Sequence, residues 1–171
     1  MGVGKTTIGR LLAARLGRPL RDSDLDLQAS GRNARVIAQT DGVAALHREE
    51  AEHLLGALAA PEPAVISAAA SVVEDERSRA ALQEPFVVWL WAPPETLVPR
   101  LTTSRHRRAL GKDPQLALTA LQQRREPFYR TVADMTLDVR RLTPAQAAEA
   151  IVARLPRPVG TQDSRTPDQR D

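Results

Sequence analysis

The amino end constrains this chain more than anything that follows. Gly2-Val3-Gly4-Lys5-Thr6-Thr7 stands directly ahead of a segment in which Ile8, Leu11, Leu12 and Leu16 recur at helical spacing. Gly4-Lys5-Thr6 closes the phosphate-loop pattern G-x-x-x-x-G-K-[ST]. Glycines let successive backbone N–H groups curl around an anion. A lysine at this place reaches terminal phosphates, and the next hydroxyl is a hard oxygen for Mg²⁺. The helix that follows presents the positive end of its dipole to the same anion. The spacing predicts that helix over residues 5–17, ended by Gly17 and Pro19.

The rest of the chain alternates strands with helices. Pro19 to Asp22 leads into an acidic turn, Asp22-Ser23-Asp24, and a helical pattern covers 41–59. Ala64-Val65-Ile66-Ser67 reads as a short buried strand after Pro61-Glu62-Pro63. Residues 74–82 read as helix, and Phe86 to Trp91 is an apolar run suited to a strand covered on both faces. Helices are predicted near 94–101, over 114–131 and from Pro144 to Leu155, with a strand at 135–139. Trp89 and Trp91 alternate on a strand and are expected in the core. The Arg-rich stretch 102–112 is expected to be a mobile cationic lid, and residues 156–171 a disordered tail after a single domain over 1–155. This order predicts an α/β protein, a P-loop NTPase with a parallel sheet between two helical layers.

The first glycine of the phosphate-loop pattern falls two positions before Met1, and so does the strand that normally feeds the loop. Without that central strand the sheet is expected to have four strands, its two halves ~9–10 Å apart with their inner edges unpaired. The expectation is that Met1 is an internal methionine and that the natural chain begins upstream.

Composition narrows the function classes. No apolar run approaches the ~20 residues of a membrane span. There are no cysteines, which excludes a disulfide scaffold, a Cys-ligated zinc and a thiol nucleophile. The net charge is +3, and apart from Lys5 and Lys112 the basic residues are all Arg. They are scattered without interleaved aromatics, which suits small anionic substrates better than nucleic acid. No signal peptide opens the chain, so it is expected to be cytoplasmic, and a monomer without nucleic-acid or membrane partners.

Several segments together resemble the shikimate kinase family, over almost the whole chain to about Leu155. The loop and helix from Met1 to Leu12 look like that family's start. Asp22-Ser23-Asp24 resembles its Asp-Thr/Ser-Asp motif. Ser30-Gly31-Arg32, Val36-Ile37 and Thr40-Asp41-Gly42 resemble its Gly-Arg segment and the glycine that follows. Glu50 matches an acidic residue of its next helix. Arg107-Arg108-Ala109-Leu110 resembles its lid motif, and Arg125-Glu126-Pro127-Phe128-Tyr129 its Arg-x-Pro-Leu-Tyr.

The resemblance implies transfer of the γ-phosphate of ATP to the 3-hydroxyl of shikimate, a small carboxylated polyol, on the route to aromatic amino acids. It implies that Gly2, Val3, Gly4, Lys5, Thr6 and Thr7 bind the phosphates, with Arg107 (or Arg108) and Arg140 also on ATP. Thr6 and Asp22 would hold Mg²⁺, and Asp24 would accept a hydrogen bond from the attacking hydroxyl, with Lys5, Asp24 and Arg107 as the catalytic set. Arg125 would pair with the substrate carboxylate, and Asp24, His47, Arg48 and Ala69 would line the acceptor site. These roles suit phosphoryl transfer, which is mostly positioning and charge neutralisation.

Two positions depart from the family pattern. His47 stands where the family has a second carboxylate-binding Arg. Arg48 is its neighbour, but adjacent helical residues point about 100° apart. Ala68-Ala69-Ala70, before Ser71, replaces a run of three glycines. Alanine would be strained at any of these held at positive φ, and its methyl groups would crowd the pocket. The acceptor alternatives are another sugar acid or polyol, such as gluconate, and a further alternative is a nucleotide-binding protein without catalysis.

Overall fold

The computed structural model describes residues 2–102 and 112–156. The expected lid residues Arg107 and Arg108 and the expected tail beyond 156 lie outside the described residues. The elements run α1 (Lys5–Leu16), β1 (Leu20–Asp22), α2 (Ser23–Ala29), α3 (Ala34–Thr40), α4 (Val43–Ala59) and β2 (Val65–Ser67). After a 3-10 turn at Val72–Glu74 come α5 (Glu76–Ala81), β3 (Val88–Trp91), α6 (Pro94–Thr102), α7 (Pro114–Val132), β4 (Met135–Asp138) and α8 (Pro144–Val152). Among the described residues no helix is long and apolar enough to cross a membrane.

Most boundaries follow from residues the sequence displays. Gly17 closes α1 in the left-handed conformation, at φ 60°. Thr143 and Gln146 form a reciprocal capping box at the start of α8, with Pro144 at its first helical position. The expected acidic turn is instead the start of a helix. Asp22 is the N-cap of α2, and its Oδ1 accepts from the backbone N–H groups of Asp24 and Leu25. Helix α3, capped by the Asn33 side chain, also stands where no helix is predicted.

The strands pair in parallel, as expected, but in two separate sheets. β1 pairs with β2, setting Asp22 beside Ser67, and β3 pairs with β4, setting Trp91 beside Asp138. Among the described residues no ladder joins β2 to β3. The facing edges of β2 and β3, with Val3, Ile8 and Gly9 from the amino end, line a cavity of about 320 Å³. The four strands therefore form two halves with unpaired inner edges among the described residues, as the sequence leads one to expect.

Two apolar clusters hold the layers. Ile8, Leu12, Leu97, Leu101, Leu118, Val139 and Ile151 join α1, α6, α7 and α8 over the β3–β4 sheet. Leu54, Val72, Val73, Leu82 and Val132 join α4, α5 and the end of α7. Trp89 is buried, as expected, and its ring stacks on Tyr129 at 5.1 Å between centroids. Trp91 is half-buried, with the Arg140 guanidinium 5.3 Å above its ring.

Candidate active site

The phosphate loop meets the acidic segment directly. Gly4 sits at φ 97°, a conformation that disfavours any residue with a Cβ, and starts α1 with no side chain capping it. The first-turn N–H groups of a twelve-residue helix are thus left for an anion. Thr6 is the second residue of this helix, and its Oγ1 donates to Asp22 Oδ2 at 2.8 Å. Asp22 is 2% exposed and arrives at the carboxyl end of β1, on the edge where ligands of parallel α/β sheets collect.

This pair fits a magnesium ion. It offers one hydroxyl and one carboxylate, both hard oxygens, in contact with each other beside the phosphate loop. Mg²⁺ commonly takes one or two protein oxygens and completes its shell with phosphates and water. Asp22 Oδ1 accepts from two backbone N–H groups, whereas Oδ2 accepts from the Thr6 hydroxyl and keeps a lone pair for a metal. Among the described residues no group of three or more His, Asp or Glu forms a ready metal cage.

A second cluster gathers around Glu50 on α4. Its carboxylate is buried and accepts a short hydrogen bond from Ser71 Oγ. Burial pushes the Glu50 carboxyl above its ordinary range, against the Ser71 bond, and His47, Asp24 and Arg125 all act on it through space. Asp24 (α2), His47 and Glu50 (α4), Ser71 and Arg125 (α7) therefore share one neighbourhood. His47 is half-buried there, whereas Arg48 is exposed, as the helical angle between neighbours requires. Asp24 is exposed in the first turn of α2.

Arg125 is held by Glu74. Its Nε donates to Glu74 Oε1 at 2.6 Å, while Arg124 donates to both Glu74 oxygens. Burial alone would raise the Glu74 carboxyl, but the Arg124 and Arg125 guanidiniums overcome this and hold it below the ordinary range. Lys5 and Arg125 line the same cavity, together with Ala68, Ala69 and Ala70.

The alanine run is unstrained, because the positive φ that would strain it does not occur there. Among the described residues no residue other than glycine has positive φ. Ala68 and Ala69 pack against the second apolar cluster. Tyr129 Oη donates to the Ala70 carbonyl at 3.1 Å, and burial pushes the Tyr129 hydroxyl up to about 12. The carboxyl end of the segment is thus pinned twice, Ala70 by α7 and Ser71 by α4.

Of the remaining predicted residues, Val3 lines the cavity, Thr7 is exposed, and Gly2 packs close to Leu101. Arg140 is bonded to Asp138 and lies over Trp91. Arg107 is outside the described residues. Sequence reasoning missed Glu74 and Ser71. Nothing in Val72-Val73-Glu74 marks the glutamate as a partner of Arg125, 51 positions later. It also missed the link from α2 to α4, in which Asp26 Oδ2 bonds His53 Nε2 at 2.7 Å and accepts from Arg21.

Comparison with known proteins follows the same outline. A family model described as shikimate kinase matches residues 1–156. A shikimate kinase of Symbiobacterium thermophilum is 38% identical over 159 residues, covering 91% of this chain and 89% of the relative. One of Thermobifida fusca is 35% identical over 156 residues, covering 91% and 90%. Among solved structures, the shikimate kinase from Acinetobacter baumannii in complex with shikimate superposes with a TM-score of 0.78 at 27% identity, over 89% of this chain and 86% of that one.

Proposed function

Because the chain belongs to the shikimate kinase family, we propose that it transfers the γ-phosphate of ATP to the 3-hydroxyl of shikimate, as an alcohol phosphotransferase serving aromatic amino acid synthesis. The fold is that of a P-loop NTPase. The observation that carries the reading is the joining of the two chemistries in one place. A phosphate loop is hydrogen-bonded through Thr6 to Asp22, and Asp24, two residues further, reaches the Glu50–Arg125 neighbourhood.

In this reading the loop amides from Gly2 to Thr7 and the Lys5 ammonium hold the triphosphate, which fixes the γ-phosphorus at the head of α1. Thr6 and Asp22 hold Mg²⁺, which when bound neutralises charge developing on the phosphate oxygens. Arg125 takes the substrate carboxylate through charge-assisted hydrogen bonds, with His47 on the same side of the site. Asp24 accepts a hydrogen bond from the acceptor hydroxyl and orients its oxygen toward phosphorus. Ala69 forms part of the wall against which the ring lies. Arg107 and Arg140 stand as further contacts to ATP.

ADP release coupled to an indicator reaction, with shikimate, gluconate and other hydroxy acids offered in turn, tests this directly. Turnover with shikimate is expected. Asp24→Ala should lower kcat by about two to four decades and leave ATP binding by calorimetry within about twofold. Turnover unchanged by Asp24→Ala, or turnover only with another acid, refutes the assignment.

A further inference from the structure

Arg125 has five N–H donors in a planar fork, and a carboxylate can approach it side-on, through Nε and one Nη, or end-on, through both Nη atoms. Here the side-on approach is closed. Nε is bonded to Glu74 Oε1 at 2.6 Å, and both side chains are largely buried, at 12% and 18% exposed. Among the described residues neither Nη of Arg125 has a protein partner, and the residue lines the cavity shared with Lys5.

Glu74 would be expected to cancel the positive charge that a substrate carboxylate needs. It does not, because Arg124 is bonded to both of its oxygens from the outside. Two guanidiniums share one carboxylate, and one positive charge is left over. Arg124 is 60% exposed and does not line the cavity, so it acts on the site only through Glu74.

We infer that Glu74 is a positioning residue for the acceptor. It locks Arg125 by its Nε so that the Nη pair meets the substrate carboxylate end-on, and Arg124 keeps Glu74 from claiming that pair for itself. This rests on the assignment of Arg125 to the carboxylate made above. A merely structural ion pair would affect stability and every kinetic constant alike. The arrangement here affects the acceptor alone. It also couples a surface residue to acceptor binding: without Arg124, Glu74 is free to grip Arg125 through an Nη as well.

Steady-state kinetics on the full chain decide the matter. Glu74→Ala is expected to raise KM for shikimate about tenfold, with KM for ATP and kcat within about twofold of the parent. Glu74→Gln keeps an oxygen to accept from Nε and should stay within about threefold. Arg124→Ala should raise KM for shikimate about threefold, and the double variant should match Glu74→Ala rather than the product of the two effects. A KM for shikimate that falls or stays unchanged in Glu74→Ala overturns the inference, as does an equal rise for ATP. Should Glu74→Ala lose its circular-dichroism melting transition, Arg124→Ala carries the test, and an unchanged KM there overturns it. A parent protein inactive on shikimate, or an Arg125→Ala variant with unaltered KM, instead defeats the assignment of Arg125 on which the inference is built.

Discussion

Glu50 shows what one buried side chain does to this molecule. Its carboxyl is raised by burial, so the folded state favours the protonated form. Stability linked to such a group is fully present below its ordinary value of 4.5 and is lost as pH rises through the higher folded value. Glu50→Gln, which cannot ionise but can still accept from Ser71, should therefore melt higher than the parent at about pH 8, and the gap should close by about pH 4. Differential scanning fluorimetry across that range measures it. Three positions earlier on the same helix, His47→Arg should supply a second permanent cation to the carboxylate. A charged hydrogen bond of about 1.5–3 kcal/mol corresponds to a fall in KM for shikimate of roughly one to two decades. Lys5 and Thr6 were readable in the sequence because the phosphate-loop pattern fixes their spacing, and Asp22 because Asp22-Ser23-Asp24 resembles a family motif. Glu74 was not, because its meaning lies in a contact with Arg125 that only the tertiary fold creates.

At the scale of elements, α1 approaches the β1–β2 sheet closely at Gly9. A Cβ on Gly9 would lie 3.1 Å from Leu20 Cδ1 and 3.6 Å from Ser67 Cβ. Both neighbours sit in paired strands, so their backbones are held while the Leu20 side chain has to shift. Gly9→Val should cost about 1–3 kcal/mol by overpacking, read as a lower midpoint in urea unfolding. It should also weaken nucleotide binding, because α1 carries the phosphate loop at its head. The long helices and the apolar strand around Val88–Trp91 were readable because their apolar residues repeat over several turns or pleats. Helices α2 and α3, seven residues each, were not. Two turns give too few apolar positions to establish a period, and their clearest marks, the caps Asp22 and Asn33, resemble an ordinary polar loop.

On the scale of the whole molecule, the parallel sheet is divided between β2 and β3, with a cavity along the division. Four strands in two halves with unpaired inner edges is also the arrangement the sequence leads one to expect. A strand seated there would bond with both facing edges and bury its side chains against Val65, Ile66, Val88 and Leu90. Adding an apolar, strand-forming extension ahead of residue 1 is therefore expected to stabilise the fold. A net gain of about 2 kcal/mol would raise Tm by roughly 4–8 °C in a chain of this size. An extension of equal length made of Gly and Ser should leave Tm unchanged, and the comparison of the two melting curves is the check.

The division has a further consequence for how the molecule comes apart. Among the described residues no backbone ladder crosses it, and helices and side-chain contacts join the two strand pairs, so the ladders do not oblige them to open together. Amide exchange should then resolve two protection classes, one for Leu20–Asp22 with Val65–Ser67 and another for Val88–Trp91 with Met135–Asp138. The first carries Asp22, so if it is the less protected of the two, its opening would set how long Thr6 and Asp22 stay together at the candidate site.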